Sequence, residues 1–370
     1  MKKPIHWGIW GTGAVAHAVA SDFRLADRAL LHAVASRTED RARKFAACHG
    51  ASKSYAGLAP LLHDPAVDVI YIATPNDHHM ADSIACLRAG KAVLCEKPFA
   101  LDLEQAQKTV DTARQHKVFC MEAMWTRFIP AVIAAKSAIK DGVIGPIRMM
   151  QGNFAYPIPE ASDSRLLDPK HGGGALLDRG VYLISLSQHL LGTPLSIRGT
   201  ACLGPTGVDE QSAYQLVYKD ALSDFAASLR TKGTNEVTIS GERGMLRLCE
   251  PFYRAHRLVT QTFAAPQAVS ADDLLTKRGG LVAAVRDSSL RRRLGPLLTA
   301  LQGGRAQNYP FSGNGYQFEL QHVSDCLREQ RIESPIMPLS DTLEVMRTMD
   351  ALRSQMYPSQ LRKIQSISEL

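Results

Sequence analysis

No stretch of the 370 residues approaches the roughly 18 consecutive apolar positions that a membrane-crossing helix needs. The chain has no CxxC pair. Its seven cysteines, Cys48, Cys86, Cys95, Cys120, Cys202, Cys249 and Cys326, are an odd number, scattered and without a histidine at metal-ligand spacing. A disulfide framework and a metal centre are therefore not expected, and the thiols read as reduced core groups in a cytoplasmic protein. Lys2 and Lys3 imitate the start of a secretory signal, but Gly8, Gly11 and Gly13 interrupt the apolar run that should follow. Repeats and low-complexity tracts are absent. Charge of one sign is also scarce: 43 Lys and Arg against 36 Asp and Glu leave +7, small for a dedicated nucleic-acid binder. What is present, 45% hydrophobic and 21% charged residues, is an ordinary globular composition with length for about two domains.

The first half alternates strands with helices. An apolar strand, Ile5 to Trp10, runs into Gly11-Thr12-Gly13-Ala14-Val15-Ala16 and then an Ala-rich helix. That is G-x-G-x-x-A between strand and helix, the spacing that lets a backbone approach a pyrophosphate at a helix N-terminus. A second strand, Ala29 to Ala35, ends where an NAD-binding chain would place a carboxylate for the ribose hydroxyls. The carboxylate is missing: Ser36-Arg37-Thr38 stands there. A hydroxyl and a guanidinium can pair with a 2'-phosphate, which predicts NADP; alternatively Arg37 opens the next helix with its charge in water. Further strands at Val67–Ala73, Lys91–Cys95 and Val118–Met121, with helices between them, predict a doubly wound parallel sheet, with ligand loops at the strands' carboxyl ends. Those loops carry Thr74-Pro75-Asn76-Asp77-His78-His79, Glu96-Lys97-Pro98 and Glu122-Ala123-Met124-Trp125.

Glu96-Lys97-Pro98 downstream of TPNDHH and GTGAVA resembles the glucose-fructose oxidoreductase, inositol dehydrogenase and MocA family. EAMWTRFIP (Glu122 to Pro130), GGGALLDRGVY (Gly172 to Tyr182), GNGYQFE and ESPIMPL are similar to its branch of dihydrodiol and NADP-dependent xylose dehydrogenases. The resemblance implies a dinucleotide-binding Rossmann domain over 1–123 and an α+β domain over 124–370 with an open, largely antiparallel sheet and a dimer-forming face. It also implies catalytic roles for Lys97 and Tyr182, with Lys97 lowering the pKa of the tyrosine. Tyrosine at 182 points away from relatives that carry histidine there. Asp178 and Tyr182, four apart in a helix expected from Gly174 to Leu191, share one face. Asp178 is then a substrate hydroxyl acceptor or a cap for the Gly172–Gly174 turn. Trp125 offers a ring face to substrate, or packs at the domain junction. Arg148 falls where the branch keeps a substrate-binding arginine, or is a surface arginine. Thr74, Pro75, Asn76, His79 and Glu96 fall beside the cofactor. Arg179 departs from the small or apolar residue usual there and is expected at the pocket rim.

The second half reads as strands from Arg148 to Thr262, followed by helices at Tyr316–Arg328 and Asp341–Tyr357, with Asp341 and Glu344 in capping-box spacing. About residues 265–309 form an insertion. Its Leu274–Arg305 stretch holds seven Lys and Arg against Asp287 alone, so it accounts for +6 of the +7. It reads as a helix covering its own domain, or as a peripheral membrane-surface or acidic-partner contact. The leading expectation is an NADP-dependent oxidoreductase, without metal, acting on a small polyhydroxylated or carbonyl substrate, as a homodimer. A member acting on a nucleotide or amino sugar and a non-catalytic NADP sensor are the alternatives.

Overall fold

The alternation of the first half closes into one parallel sheet. In the computed structural model, which describes residues 3–159, 164–263 and 304–357, β1 (Ile5–Trp10), β2 (Ala29–Ser36), β3 (Lys53–Ala56), β4 (Val69–Ile72), β5 (Ala92–Glu96) and β6 (Cys120–Ala123) lie in the order β3-β2-β1-β4-β5-β6. Every neighbouring pair is parallel. β4 and β5 are buried at all positions, as strands covered on both faces must be. The crossovers are α1 (Ala14–Asp22), α2 (Glu39–His49), α3 (Leu58–His63), α4 (His79–Arg88) and α5 (Leu103–His116). Strand order reverses between β1 and β4, so a cleft opens at their carboxyl ends. The final strand lies two residues later than its apolar run suggests. β3 is exposed or half-buried throughout and carries no periodic signal.

The second half builds on α6 (Pro130–Lys140), β7 (Ile147–Ala155), α7 (Val181–Leu191), β8 (Ser196–Leu203), β9 (Asp209–Val217), β10 (Leu222–Ser228), β11 (Val237–Gly241), β12 (Gly244–Leu248), β13 (Arg257–Thr262) and β14 (Arg305–Asn308). The eight strands run β14-β13-β12-β11-β7-β10-β9-β8, and only the β7–β10 pair is parallel. Tyr214, Leu216, Phe225 and Ala227 face the core, while Gln215, Val217, Asp224 and Ala226 face out. One covered and one open face gives this strict alternation.

Two last helices, α8 (Gln317–Arg328) and α9 (Leu339–Met356), return to the first sheet. Trp7 Nε1 donates to Ser324 Oγ at 3.2 Å, and the Leu103 amide donates to Asp350 Oδ2 at 2.8 Å. The capping box expected from Asp341 and Glu344 does not form. α9 begins earlier, after Pro338. Asp341 instead receives Nη1 of the buried Arg127 at 2.6 Å, a counter-charge that an interior guanidinium requires, and Glu344 pairs with Arg347. The basic stretch expected over Leu274–Arg305 lies, except for its last residues, outside the described residues. Among the described residues no helix is long and apolar enough to cross a membrane.

Candidate active site

Two glycines open the cleft for different reasons. Gly11 has φ +108°, its amide donates to Ala35 O at 3.0 Å, and a Cβ there would sit 2.5 Å from Ala73 O, so the fold itself excludes any side chain. Gly13 has an ordinary φ of −82° and nothing within 4 Å of a Cβ position. No packing among the described residues requires Gly13, and the open space before it is what a pyrophosphate needs. It precedes α1, which has no side-chain cap and no acidic residue in its first turn, so the amides after Ala14 and Val15 suit an anion. Ala16 is fully buried against the sheet. Thr12 Oγ1 lies 3.2 Å from Ser36 Oγ, joining the loop to the end of β2. Arg37 is exposed and has no ion pair among the described residues, and Thr38 beside it is exposed at the start of α2. These residues fit a dinucleotide with a 2'-phosphate.

The loop after β4 is fastened from behind. Thr74 Oγ1 and Trp10 Nε1 both donate to Asp82 Oδ2 at 2.8 Å. After Pro75, buried Asn76 receives Arg165 Nη1 at 3.4 Å. His79, expected beside the cofactor ribose, is buried beneath the loop. Its Nδ1 lies 2.8 Å from Pro98 O and its Nε2 2.9 Å from Thr74 O. Burial brings its pKa down to about 4, so the ring is neutral and has one N–H to give. Its place is that of a bolt between two ligand loops.

Glu96 ends β5, buried, accepting the hydroxyl of Tyr71 and the amide of Lys97. The Lys97–Pro98 peptide is cis. Lys97 Nζ donates to Asp178 Oδ1 at 3.0 Å and to Asp178 O at 2.8 Å, and lies 5.0 Å from the centre of the Tyr182 ring. Burial pushes the Asp178 carboxyl up, but Lys97 overrides it and holds the group below its ordinary value. The carboxylate therefore does not cap the glycine turn. The helix expected to be regular is a π turn at Leu176–Gly180 leading into α7, and such turns reshape a helix at functional sites.

Tyr182 OH accepts from Trp125 Nε1 at 3.1 Å. Contrary to the expected depression, burial holds its pKa well above the ordinary phenol value. The reason is geometric: Lys97 covers the ring while its hydrogen bonds go to Asp178. Trp125 is at the junction of the two halves and is also part of an aromatic wall. Tyr316 lies 4.6 Å and Tyr253 5.8 Å from it, ring centre to ring centre. Phe154 stacks on Tyr253 at 4.6 Å and meets Tyr182 edge-on at 5.2 Å.

Arg148 does not join this group. It is exposed, with Nε and Nη2 on Glu242 Oε1 at 2.9 and 2.5 Å. Phe154 is six positions further along β7, about 20 Å of extended chain. Arg179 is buried, not at the rim: it donates to the main-chain oxygens of Tyr156 and Ser228. Sequence reasoning missed Tyr253, Phe154 and Arg165, which carry no local motif. Tyr316 lay within GNGYQFE without an assigned role. Its anchor is buried Asp22 at the end of α1, which accepts the amides of Asn314, Gly315 and Tyr316 at 2.9 to 3.0 Å.

A Rossmann cleft faced by a lysine, a carboxylate and a tyrosine is the site of a nicotinamide-dependent oxidoreductase, and the chain belongs to the Gfo/Idh/MocA family. The description "Oxidoreductase family, NAD-binding Rossmann fold" matches residues 5–124, and "GFO/IDH/MocA C-terminal domain" matches residues 132–247. The chain is 32% identical over 347 residues to trans-1,2-dihydrobenzene-1,2-diol dehydrogenase of Sus scrofa, covering 91% of this chain and 92% of that one. The Homo sapiens counterpart is 31% identical with the same coverage. Among solved structures, an aldose-aldose oxidoreductase from Caulobacter crescentus superposes with a TM-score of 0.77 at 20% identity, covering 95% of this chain and 97% of that one. A levoglucosan dehydrogenase in complex with NADH and levoglucosan gives 0.77 at 22% identity, with the same coverage. These two show the fold.

Proposed function

We propose that the protein is an NADP(H)-dependent oxidoreductase that interconverts a CH–OH and a C=O group on a sugar or a cyclic trans-diol. The observation that carries this reading is the cluster at the mouth of the Rossmann cleft in which Lys97, held by Asp178, lies over the Tyr182 ring and Trp125 donates to the Tyr182 hydroxyl. When bound, the nicotinamide supplies or accepts the hydride. The chain's own part is the proton. Tyr182, kept protonated by burial, donates its hydroxyl proton to the oxygen of a carbonyl substrate, and takes it back in the reverse direction. Lys97 supplies positive potential where an alkoxide would develop. Asp178 holds Lys97 and accepts a neighbouring substrate hydroxyl. Trp125, Tyr253 and Tyr316 offer flat apolar surface to the non-reacting face of a ring.

Gly11, Thr12, Gly13, Ala14 and Val15 would hold the pyrophosphate; Ser36, Arg37 and Thr38 the 2'-phosphate; and Thr74, Pro75, Asn76, Glu96 and Lys97 the nicotinamide half. The names of the relatives favour a diol or sugar, and the aromatic wall favours a cyclic one. The open face of the second sheet, with Val217, Leu222 and Met149 exposed, is the surface for a homodimer, and the compartment proposed is the cytoplasm. Steady-state assays with NADP(H) and a panel of cyclic dihydrodiols, aldoses and dicarbonyls test the reading. Turnover that falls by about 10²–10⁴-fold in Tyr182→Phe with unchanged NADPH binding supports it. Cofactor binding with no turnover on any member would turn the assignment to a sensor.

A further inference from the structure

Away from the cleft, on the outer side of the first sheet, the fold assembles three side chains that have no part in the chemistry above. His17 lies in α1, and Cys48 and His49 end α2. The donor atoms of all three lie within 4.8 Å of one another. His17 Nδ1 and His49 Nε2 are 2.7 Å apart. The Phe45 ring packs against both imidazoles, 4.4 Å from His17 and 4.6 Å from His49 between centres. Two rings braced on a buried phenylalanine are held with their nitrogens already converging, so ordering them adds little to the cost of binding an ion.

We propose that His17, Cys48 and His49 bind a divalent transition-metal ion of the zinc type, with water completing four-coordination. Two imidazoles and a thiolate are a borderline-soft donor set that suits zinc and its analogue cobalt(II) better than magnesium or calcium. Zn–N bonds of about 2.0–2.1 Å place two tetrahedral nitrogens about 3.3 Å apart, so the rings must part by about half an ångström while the sulfur closes in. All three residues lie at the surface, and Cys48 and His49 also border a hollow that runs over Ala20, Phe23 and Leu31. That leaves a coordination position open to solvent. The site sits at the C-terminus of α2, where the helix carbonyls favour a cation. The ion would tie the end of α2 to the first half of α1, where the amide of His17 bonds to Gly13 O at 3.1 Å. The inference does not depend on the reaction catalysed.

The experiment uses full-length protein freed of any affinity tag and stripped with a chelator. Titration with Co²⁺ should load one equivalent, with the intense visible bands of a four-coordinate ion and a thiolate-to-cobalt charge-transfer band in the near ultraviolet; Zn²⁺ should displace it. Cys48→Ser should remove the charge-transfer band. His17→Ala and His49→Ala should each weaken Zn²⁺ binding by more than about tenfold, with circular dichroism and NADPH binding unchanged. Zn²⁺ should also slow alkylation of Cys48 and leave Cys202, another exposed thiol, unprotected. Weak six-coordinate cobalt spectra, equal alkylation of both thiols, or one-equivalent binding that survives the triple variant would each overturn the proposal.

Discussion

Lys97 Nζ grips Asp178 twice, through the carboxylate at 3.0 Å and through the main-chain oxygen at 2.8 Å. The second contact reaches a carbonyl on the π turn, so the lysine is fixed by backbone shape as well as by charge. Asp178→Asn keeps the main-chain contact and the size of the side chain but removes the charge. Lys97 should then hold its place, and the substrate hydroxyl should lose its acceptor. We expect KM for a diol to rise and kcat to fall by about tenfold to a hundredfold, as for loss of one charged hydrogen bond. An unchanged KM with a lower kcat would place Asp178 behind Lys97 alone, without substrate contact.

Tyr182 should be silent in a phenol titration. Burial, reinforced by the negative potential of the Glu96 and Asp178 carboxylates, holds its proton well above the ordinary range. Ultraviolet difference titration of cofactor-free protein through pH about 10 should therefore give the same tyrosinate absorbance in the wild type and in Tyr182→Phe. A wild type that gains one tyrosinate more than the variant below that pH would show an activated phenol, and with it a proton-accepting resting state.

The parallel sheet and the cleft were legible in the chain because both rest on local signals. Apolar runs of strand length alternate with helices, and Gly11 and Gly13 stand at the turn where the first run ends. Lys97, Asp178, Tyr182 and Trp125 were legible through motifs, and the structure brings all four together. The aromatic wall was not legible. Tyr253 sits on a short turn between β12 and β13, and Tyr316 is positioned by Asp22, nearly 300 residues upstream in sequence. Arg148 took the second of its two expected places, a surface arginine, because its point on β7 lies about 20 Å of extended chain from Phe154 at the wall, and Glu242 claims its guanidinium. Asp341 misled because its spacing to Glu344 imitates a cap, whereas the buried charge of Arg127 claims it. His79 has the right neighbours but points its ring between the loops.

The proposed preference for NADP over NAD rests on Arg37. It is exposed, without an ion pair among the described residues, and no carboxylate stands at the end of β2 to take the ribose hydroxyls. Arg37→Ala should weaken NADPH binding by about tenfold to a hundredfold, the worth of one charge-assisted pair, while NADH binding stays as it was. Fluorescence titration with both nucleotides checks it. Equal losses for the two would assign Arg37 to adenine stacking or to the fold, since NADH has no 2'-phosphate to lose.

Glu122 gives the protein a stability that should decline with rising pH. The residue is fully buried at the end of β6; Oε1 accepts the Phe99 amide at 3.2 Å, and Oε2 makes no well-formed hydrogen bond among the described residues. Burial outweighs the attraction of Arg127 and raises its pKa from the ordinary 4.5 to about 7. A carboxyl whose folded pKa is raised keeps its full contribution below the unfolded value and loses it as pH climbs through the folded one. The window is therefore from about pH 4.5 to about pH 7, and the loss is on the order of 3 kcal/mol. Asp209, raised to about 6 by the same cause, acts in the same direction. Glu122→Gln keeps the acceptor for Phe99 and carries no charge. It should be more stable than the wild type at about pH 8, and the advantage should shrink towards about pH 5. Urea unfolding at the two pH values measures the difference. A variant that loses stability equally at both would show that the ionised carboxylate is satisfied in the folded chain and that Arg127, not burial, sets its charge.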